Sequence, residues 1–185
     1  MTEVLAWHFT GDTLRDGRPI PPVGETLKHD GDLVMCKTGL HASERAIDAL
    51  MYAPGHTVHR VKLSGQIEKQ GHNDKLVASE RTILWSADAE NMLRHFARLC
   101  ALDVIDKWDA PEIVRRYLET GDEGIRNSAR AAARNAAWDA AGAAARAAAW
   151  DAARDAARVA AWAAAWAAAE DAQNTRLTEM LEALA

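Results

Sequence analysis

Sulfur and imidazole side chains in the first half of the chain are the clearest candidates for chemistry. One thiol and three imidazoles, which are ligands that zinc prefers, come from Cys36, His41, His56 and His59. Their spacing lacks the tight pairs of a zinc finger, and His56 and His59 would meet only across a turn, because residues three apart on a strand point to opposite faces. We therefore expect no bound metal and keep these four residues as the alternative metal site.

Catalytic motifs of the common enzyme classes are missing around these residues. Cys36 could act as a nucleophile with a histidine base, but no adjacent glycine or helix start marks it as activated. The chain also lacks a phosphate-binding glycine loop, a dinucleotide fingerprint and a serine-hydrolase elbow. From these residues alone we expect a non-catalytic protein without a cofactor.

The predicted secondary structure that would position these residues changes from strands to helices along the chain. Strand and turn patterns fill residues 1–86, with a buried strand at 33–36, a helix behind Ser43 and alternating polarity over 57–63. Apolar residues at three- and four-residue spacing predict amphipathic helices over residues 87–121. We predict an α+β fold in which residues 1–86 form a strand-rich core and residues 87–121 complete it.

Residues 122–185 form a third region, a tail dominated by alanine. Alanine fills 27 of the 44 positions from 129 to 172, with one large residue at nearly every fourth position. Because alanine has the highest helix propensity, we predict a long helical extension, either a single helix or a helical hairpin that bends at Gly142. A period of four advances about 40° per step around a helix, so the large side chains face every direction and form no single coiled-coil seam.

The large side chains of this tail are candidates for partner binding. They are Trp138, Trp150, Trp162 and Trp166, together with Arg146, Arg154 and Arg158. Tryptophan is costly to leave in water, and both residue types are frequent interface anchors. We therefore predict that the tail binds a protein partner, which is a host protein or a second copy of this chain. The second case would make a homo-oligomer through the helical tail.

Composition and charge argue against several other classes of protein. The net charge of −5 comes from 22 basic and 27 acidic residues, and five arginines balance five acids between residues 129 and 172, which argues against a nucleic acid partner. No apolar run reaches the length of about 20 residues that a membrane span needs. The first residues also lack the basic and apolar parts of a signal peptide. We expect a cytoplasmic protein without membrane association.

The order of three segments resembles the start of ADP-ribosyltransferase-like folds. The segments are Trp7-His8-Phe9 on a first strand, 39–43 entering a helix, and 57–63 on the next strand. In that superfamily an early strand residue and a later Ser- or Tyr-bearing segment frame the nicotinamide pocket for NAD, and an acid completes catalysis. The resemblance implies that His8, with His41 or Ser43, lines the pocket, and that Glu68 in Gln66-Ile67-Glu68 is the acid. This is the enzymatic alternative.

A closer resemblance covers nearly the whole chain. The motifs that carry it include Ala6-Trp7-His8-Phe9, Cys36-Lys37-Thr38-Gly39-Leu40-His41-Ala42-Ser43, Tyr52-Ala53-Pro54-Gly55 and Asp74-Lys75-Leu76-Val77. They resemble an uncharacterised family of phages and prophage-bearing bacteria, a domain of unknown function whose members often carry an alanine-arginine-tryptophan tail. The resemblance transfers no catalytic residue. It implies a small accessory protein of the bacterial host cytoplasm that binds, and in some cases inhibits, a host or defence protein; a structural phage component is the remaining alternative.

Overall fold

A five-stranded antiparallel sheet lies at the centre of the computed structural model, which describes residues 3–69, 74–136 and 156–185. The strands are β1 (Val4–Thr10), β2 (Thr26–Lys28), β3 (Leu40–Ala42), β4 (Thr57–Lys69) and β5 (Leu76–Asp88). Their order is β1-β4-β5-β2, and β3 also pairs with β5. The alternating polarity over 57–63 thus becomes the first half of β4, the strand that bonds to both β1 and β5.

The chain directly after β3 returns to the opposite edge of the sheet. The Ser43 amide donates to the Trp7 carbonyl at 3.0 Å, and the Trp7 amide donates to the Ser43 carbonyl at 2.7 Å. Because β3 pairs with β5, and β4 joins β5 to β1, the hydrogen-bonded path closes into a ring. Closure leaves this part of β1 without a free edge. Buried apolar side chains from all four of these strands pack together, namely Ala6, Ala42, Val61, Leu63, Leu76, Ala78 and Ile83.

Of the described α-helices, one lies between β3 and β4 and the others follow β5 along the chain. The helices are α1 (Ala46–Met51), α2 (Glu90–Leu102), α3 (Glu112–Thr120), α4 (126–136, the described part) and α5 (Ala156–Glu182). The predicted fold class is therefore confirmed as mixed α/β, with an antiparallel sheet and several helices. Residues 137–155 lie outside the described residues, so the continuous extension, whether single helix or hairpin, stays a prediction. Among the described helices, none has both the length and the apolar character needed to cross a membrane.

Two local predictions differ from the structure. Residues 33–36, predicted as a buried strand, belong to a turn in which the Val34 amide donates to the Thr38 carbonyl at 3.2 Å. Ser43, predicted to cap the first helix, uses its backbone to bridge β1. The first turn of α1 is instead capped from far along the chain, because the Ile47 amide donates to Asn174 Oδ1 at 3.1 Å.

The chain divides into two compact units, and the C-terminal residues belong to the first. Unit 1 comprises Met1–Leu93 together with Ala172–Ala185, and unit 2 comprises Arg94–Asp171. Leu177 and Leu181 are fully buried, so the last turns of α5 supply core to unit 1. The predicted boundaries at 86 and 121 do not coincide with this division, because the end of the predicted tail is part of the unit that holds the sheet. The apolar interior of unit 2 includes Phe96, Ile105, Ala110, Val114 and Ala129.

Candidate functional site

A row of polar side chains crosses one face of the sheet in unit 1. His8 on β1 lies opposite His59 on β4, and His59 lies opposite Ser86 on β5. His59 is 1% exposed, and both of its ring nitrogens are satisfied: Nε2 lies 2.9 Å from Thr10 Oγ1 and Nδ1 lies 2.6 Å from Ser86 Oγ. The His8 ring stacks on the His59 ring with centroids 6.1 Å apart. Since side chains alternate along a strand, this row shares its face with Ala6 and the apolar ring interior.

Arg81 on β5 places a guanidinium in the same region. Its residue is 4% exposed, and Nη1 donates to the His41 carbonyl at 2.7 Å. The buried Nε has no hydrogen-bond partner. Burial lowers the pKa of Arg81 to about 10, so the guanidinium still carries its charge at neutral pH.

His41 is held by the turn that precedes β3. Its Nε2 accepts a hydrogen bond from the Cys36 amide at 2.9 Å, so the proton of the neutral ring resides on Nδ1. Cys36 adopts a left-handed backbone with φ of 64°, which directs this amide at the ring. Arg15 Nη1 donates to the Cys36 carbonyl at 3.2 Å, and Lys75 Nζ lies 3.4 Å from Cys36 Sγ.

The turn depends on Gly39, which provides a testable prediction. Gly39 has φ of 100°, and an added Cβ would collide with the side chains of Val77 and Leu33. Gly39→Ala should therefore destabilise the protein by about 1 to 3 kcal/mol, measured by urea unfolding. Gly11→Ala is the matched control, because nothing lies within 4 Å of its added Cβ. Equal stability of the two variants would contradict this role of Gly39.

Three histidines in this region are held in the neutral form. Burial is the largest cause that lowers the pKa of His8, His41 and His59, and it brings the pKa of His59 to about 4. The Arg81 charge lowers all three pKa values further, and for His8 it is the second-largest cause. The arrangement is a buried cation beside neutral imidazoles, in which an N–H group can donate without the ring being charged.

The ADP-ribosyltransferase resemblance implies a site of four residues, and the structure brings only some of them close together. His8 and His41 are close enough for the charge of one to lower the pKa of the other. Ser43 is buried and contributes its backbone to the bridge with β1. Glu68 is exposed, accepts from Gln66 Nε2 at 3.1 Å, and follows the His8 partner His59 by nine residues along β4, a path of about 30 Å in an extended strand. The structure does not place this carboxylate beside His8.

The alternative metal ligands are also separated. His56 Nδ1 contacts the exposed Asp88 Oδ1 at 2.9 Å, whereas His59 is bound by hydroxyl groups on both nitrogens. Among the described residues, no three His, Cys, Asp or Glu side chains form a group that could hold a metal ion. Cys36 meets His41 through its backbone amide and not through its thiol.

Most of the predicted partner-binding residues of the tail lie outside the residues that the structure describes. Trp138, Arg146, Trp150 and Arg154 lie outside the described residues. Arg158, Trp162 and Trp166 fall within the backbone span of α5. Their binding role stays a prediction.

Arg81 is the residue of this region that sequence reasoning missed. It lies in Ser79-Glu80-Arg81-Thr82, four consecutive polar residues between two apolar runs. A charged residue on a strand is usually solvated, so the pattern gives no sign that this side chain is buried. The only available signal was its position two residues before Ile83, on the face that the apolar residues share.

Comparison with known proteins identifies the domain that carries this polar region. No curated protein and no solved structure matches the chain. One family model does match, and the matched residues include His8, His41, His59 and Arg81. Residues 4–95 of the chain are thus a DUF7666 domain, a domain of unknown function.

Proposed function

We propose that the protein is a non-catalytic accessory protein, borne by a phage or prophage, that acts in the bacterial cytoplasm by binding another protein. The alanine-rich segment is the binding element, and the DUF7666 domain is its folded base. Inhibition of a host or defence protein is the activity that such binding would produce.

One observation carries this proposal: both ends of the alanine-rich segment are parts of packed units. Ala129, at its start, is 2% exposed within unit 2. Leu177 and Leu181, beyond its end, are 0% exposed within unit 1, and Asn174 caps α1. A segment held at both ends loses less conformational entropy when it binds than a free tail would, which favours its use as a binding surface.

The composition of the segment supports the same reading. Alanine allows close approach by a partner backbone, while tryptophan side chains at intervals supply large buried areas at an interface. Tryptophans 12 residues apart lie about 120° from one another on a continuous helix. Such a helix would offer tryptophan to partners on several sides, including a second copy of this chain.

Combined replacement of Trp138, Trp150, Trp162 and Trp166 by alanine tests the proposal. We expect the wild-type chain to self-associate or to retain a cytoplasmic bacterial protein, and the alanine variant to lose this association by at least about tenfold in Kd, since interface tryptophans are typical hot spots. Light scattering coupled to size exclusion and quantitative pull-down provide the measurements.

A matched variant with phenylalanine at the same four positions controls for folding. Phenylalanine preserves much of the apolar area, so association should recover in part, while circular dichroism should show equal helix content in the two variants. Association that survives the four alanine substitutions unchanged would rule out the segment as the binding element.

A further inference from the structure

Arg81 is a buried cation that, among the described residues, forms no hydrogen bond or ion pair with a carboxylate. Within the described part of the chain, its one hydrogen bond goes to a neutral carbonyl, that of His41, and Nε is left without a partner. Asp16 is the acid whose charge raises the pKa of Arg81, but Asp16 itself is bound by Arg18 at 2.7 Å. A buried charge is costly unless an opposite charge or a full set of hydrogen bonds compensates it.

His8 provides a second unused donor next to this cation. Its side chain is partly buried, lies close enough to Arg81 for that charge to lower its pKa, and has no hydrogen-bond partner within the described residues. Stacking against His59 orients it, and His59 in turn is fixed by hydroxyl groups on both nitrogens. His59 therefore positions His8 and has no free N–H of its own.

The surroundings of this pair are positive. Arg15 and Lys75 both lower the pKa of His41, next to the carbonyl that Arg81 binds. Arg15 contacts the carbonyl of Cys36, and Lys75 contacts the Cys36 sulfur and lies over the Tyr52 ring, with Nζ 3.4 Å from its centroid; none of these contacts is with a carboxylate. Of the nearby carboxylates, Asp16 binds Arg18, and Asp74 accepts from Tyr52 through Oδ2, while the buried Asp74 Oδ1 has no hydrogen-bond partner among the described residues.

We propose that Arg81 and His8 form a binding site for the phosphate group of a small molecule. A guanidinium donates two parallel N–H groups to phosphate oxygens, and a neutral imidazole adds a third donor. The phosphate would supply the negative charge that compensates the Arg81 guanidinium. The site does not involve the alanine-rich segment. A failure of phosphate binding would therefore leave the proposed partner-binding function unaffected.

Thermal unfolding of the full chain tests the site, with inorganic phosphate and AMP as probes and chloride at equal ionic strength as reference. At about a hundredfold excess over Kd, each probe should raise the Tm of the wild type by roughly 5 to 10 °C. Arg81→Gln and His8→Ala should each abolish most of this shift. Arg60→Gln is the matched control and should keep it. Arg60 is partly buried and likewise has a buried nitrogen, Nη1, without a hydrogen-bond partner among the described residues, but its guanidinium packs over the Trp7 ring, 4.5 Å from the centroid.

Titration of the histidine ring protons gives a second readout that does not depend on stability. Bound phosphate should raise the pKa of His8, because an adjacent anion favours the charged ring. Stabilisation by both probes, or by inorganic phosphate alone, supports the site, whereas stabilisation by AMP alone would assign binding to the nucleoside and overturn it. An unchanged Tm and an unchanged His8 titration in the wild type would overturn it as well, as would a shift that persists in both site variants.

Discussion

Leu177→Ala and Leu181→Ala should each destabilise unit 1 by about 2 to 5 kcal/mol. Both leucines are 0% exposed, and both lie in the last turns of α5, which belong to the same unit as the sheet. Truncation to alanine removes apolar contacts and leaves a cavity that the surroundings fill only in part. Such a loss is a large share of the stability of an ordinary domain, which is about 5 to 15 kcal/mol.

Urea unfolding, followed by circular dichroism and by tryptophan fluorescence, to which Trp7 and Trp85 of the sheet contribute, would measure this effect. Leu184→Ala provides the matched control, because Leu184 is 36% exposed and its truncation should cost less than about 1 kcal/mol. If all three variants unfolded at the same urea concentration, the assignment of the C-terminal turns to the core would be refuted. A chain that ends before residue 172 should, for the same reason, fail to form a stable unit 1.

The stability of unit 1 should also fall steeply in mild acid because of His59. The pKa of His59 is about 4 in the folded protein, against 6.5 in an unfolded chain, since burial disfavours the charged ring. Folding therefore favours the neutral ring. The contribution of the neutral ring to the free energy of unfolding is fully present above pH 6.5 and is lost as the pH falls toward 4. A difference of this size corresponds to about 3 kcal/mol, and the lowered pKa values of His8 and His41 act in the same direction.

Free energies of unfolding at pH 7.0, 6.0, 5.0 and 4.5 would reveal this dependence. His59→Gln keeps a polar side chain without the titration, so its stability should decline less over this range than that of the wild type. His56→Gln replaces an exposed histidine on the same unit and should retain the wild-type decline. A wild-type stability that is flat between pH 7.0 and 4.5 would show that burial does not hold His59 neutral.

Much of the fold could be predicted because it depends on local patterns. Alternating polarity over 57–63 marks a strand wherever its partners lie, and the three- and four-residue spacing after residue 86 marks helices. The turn at 33–36 was mistaken for a strand because a short apolar run is compatible with either structure. Its conformation depends on the left-handed Cys36 backbone and on the hydrogen bond that His41 accepts from the Cys36 amide, neither of which appears in the local pattern.

The candidate site was predicted only in part, for a related reason. His8 and His41 were singled out as chemically capable residues, and the structure does bring them together. Glu68 matches a motif in the sequence, yet it lies on the same long strand as His59 and nine residues beyond it, so the extended backbone carries its carboxylate away from His8. Arg81 belongs to no sequence motif. It is a candidate because its side chain is buried with an unpartnered nitrogen, and burial depends on the whole fold.

The sequence by itself determined the class of fold, the helices that follow residue 86 and the residues able to do chemistry, because composition and periodicity act over a few neighbouring positions. The tertiary structure alone decided which distant residues meet. The bridge between Ser43 and Trp7, the cap that Asn174 gives to α1 and the burial of Arg81 beside three histidines all join residues far apart in the chain. Such contacts follow from the pairing of strands and the packing of helix ends, which no local pattern encodes.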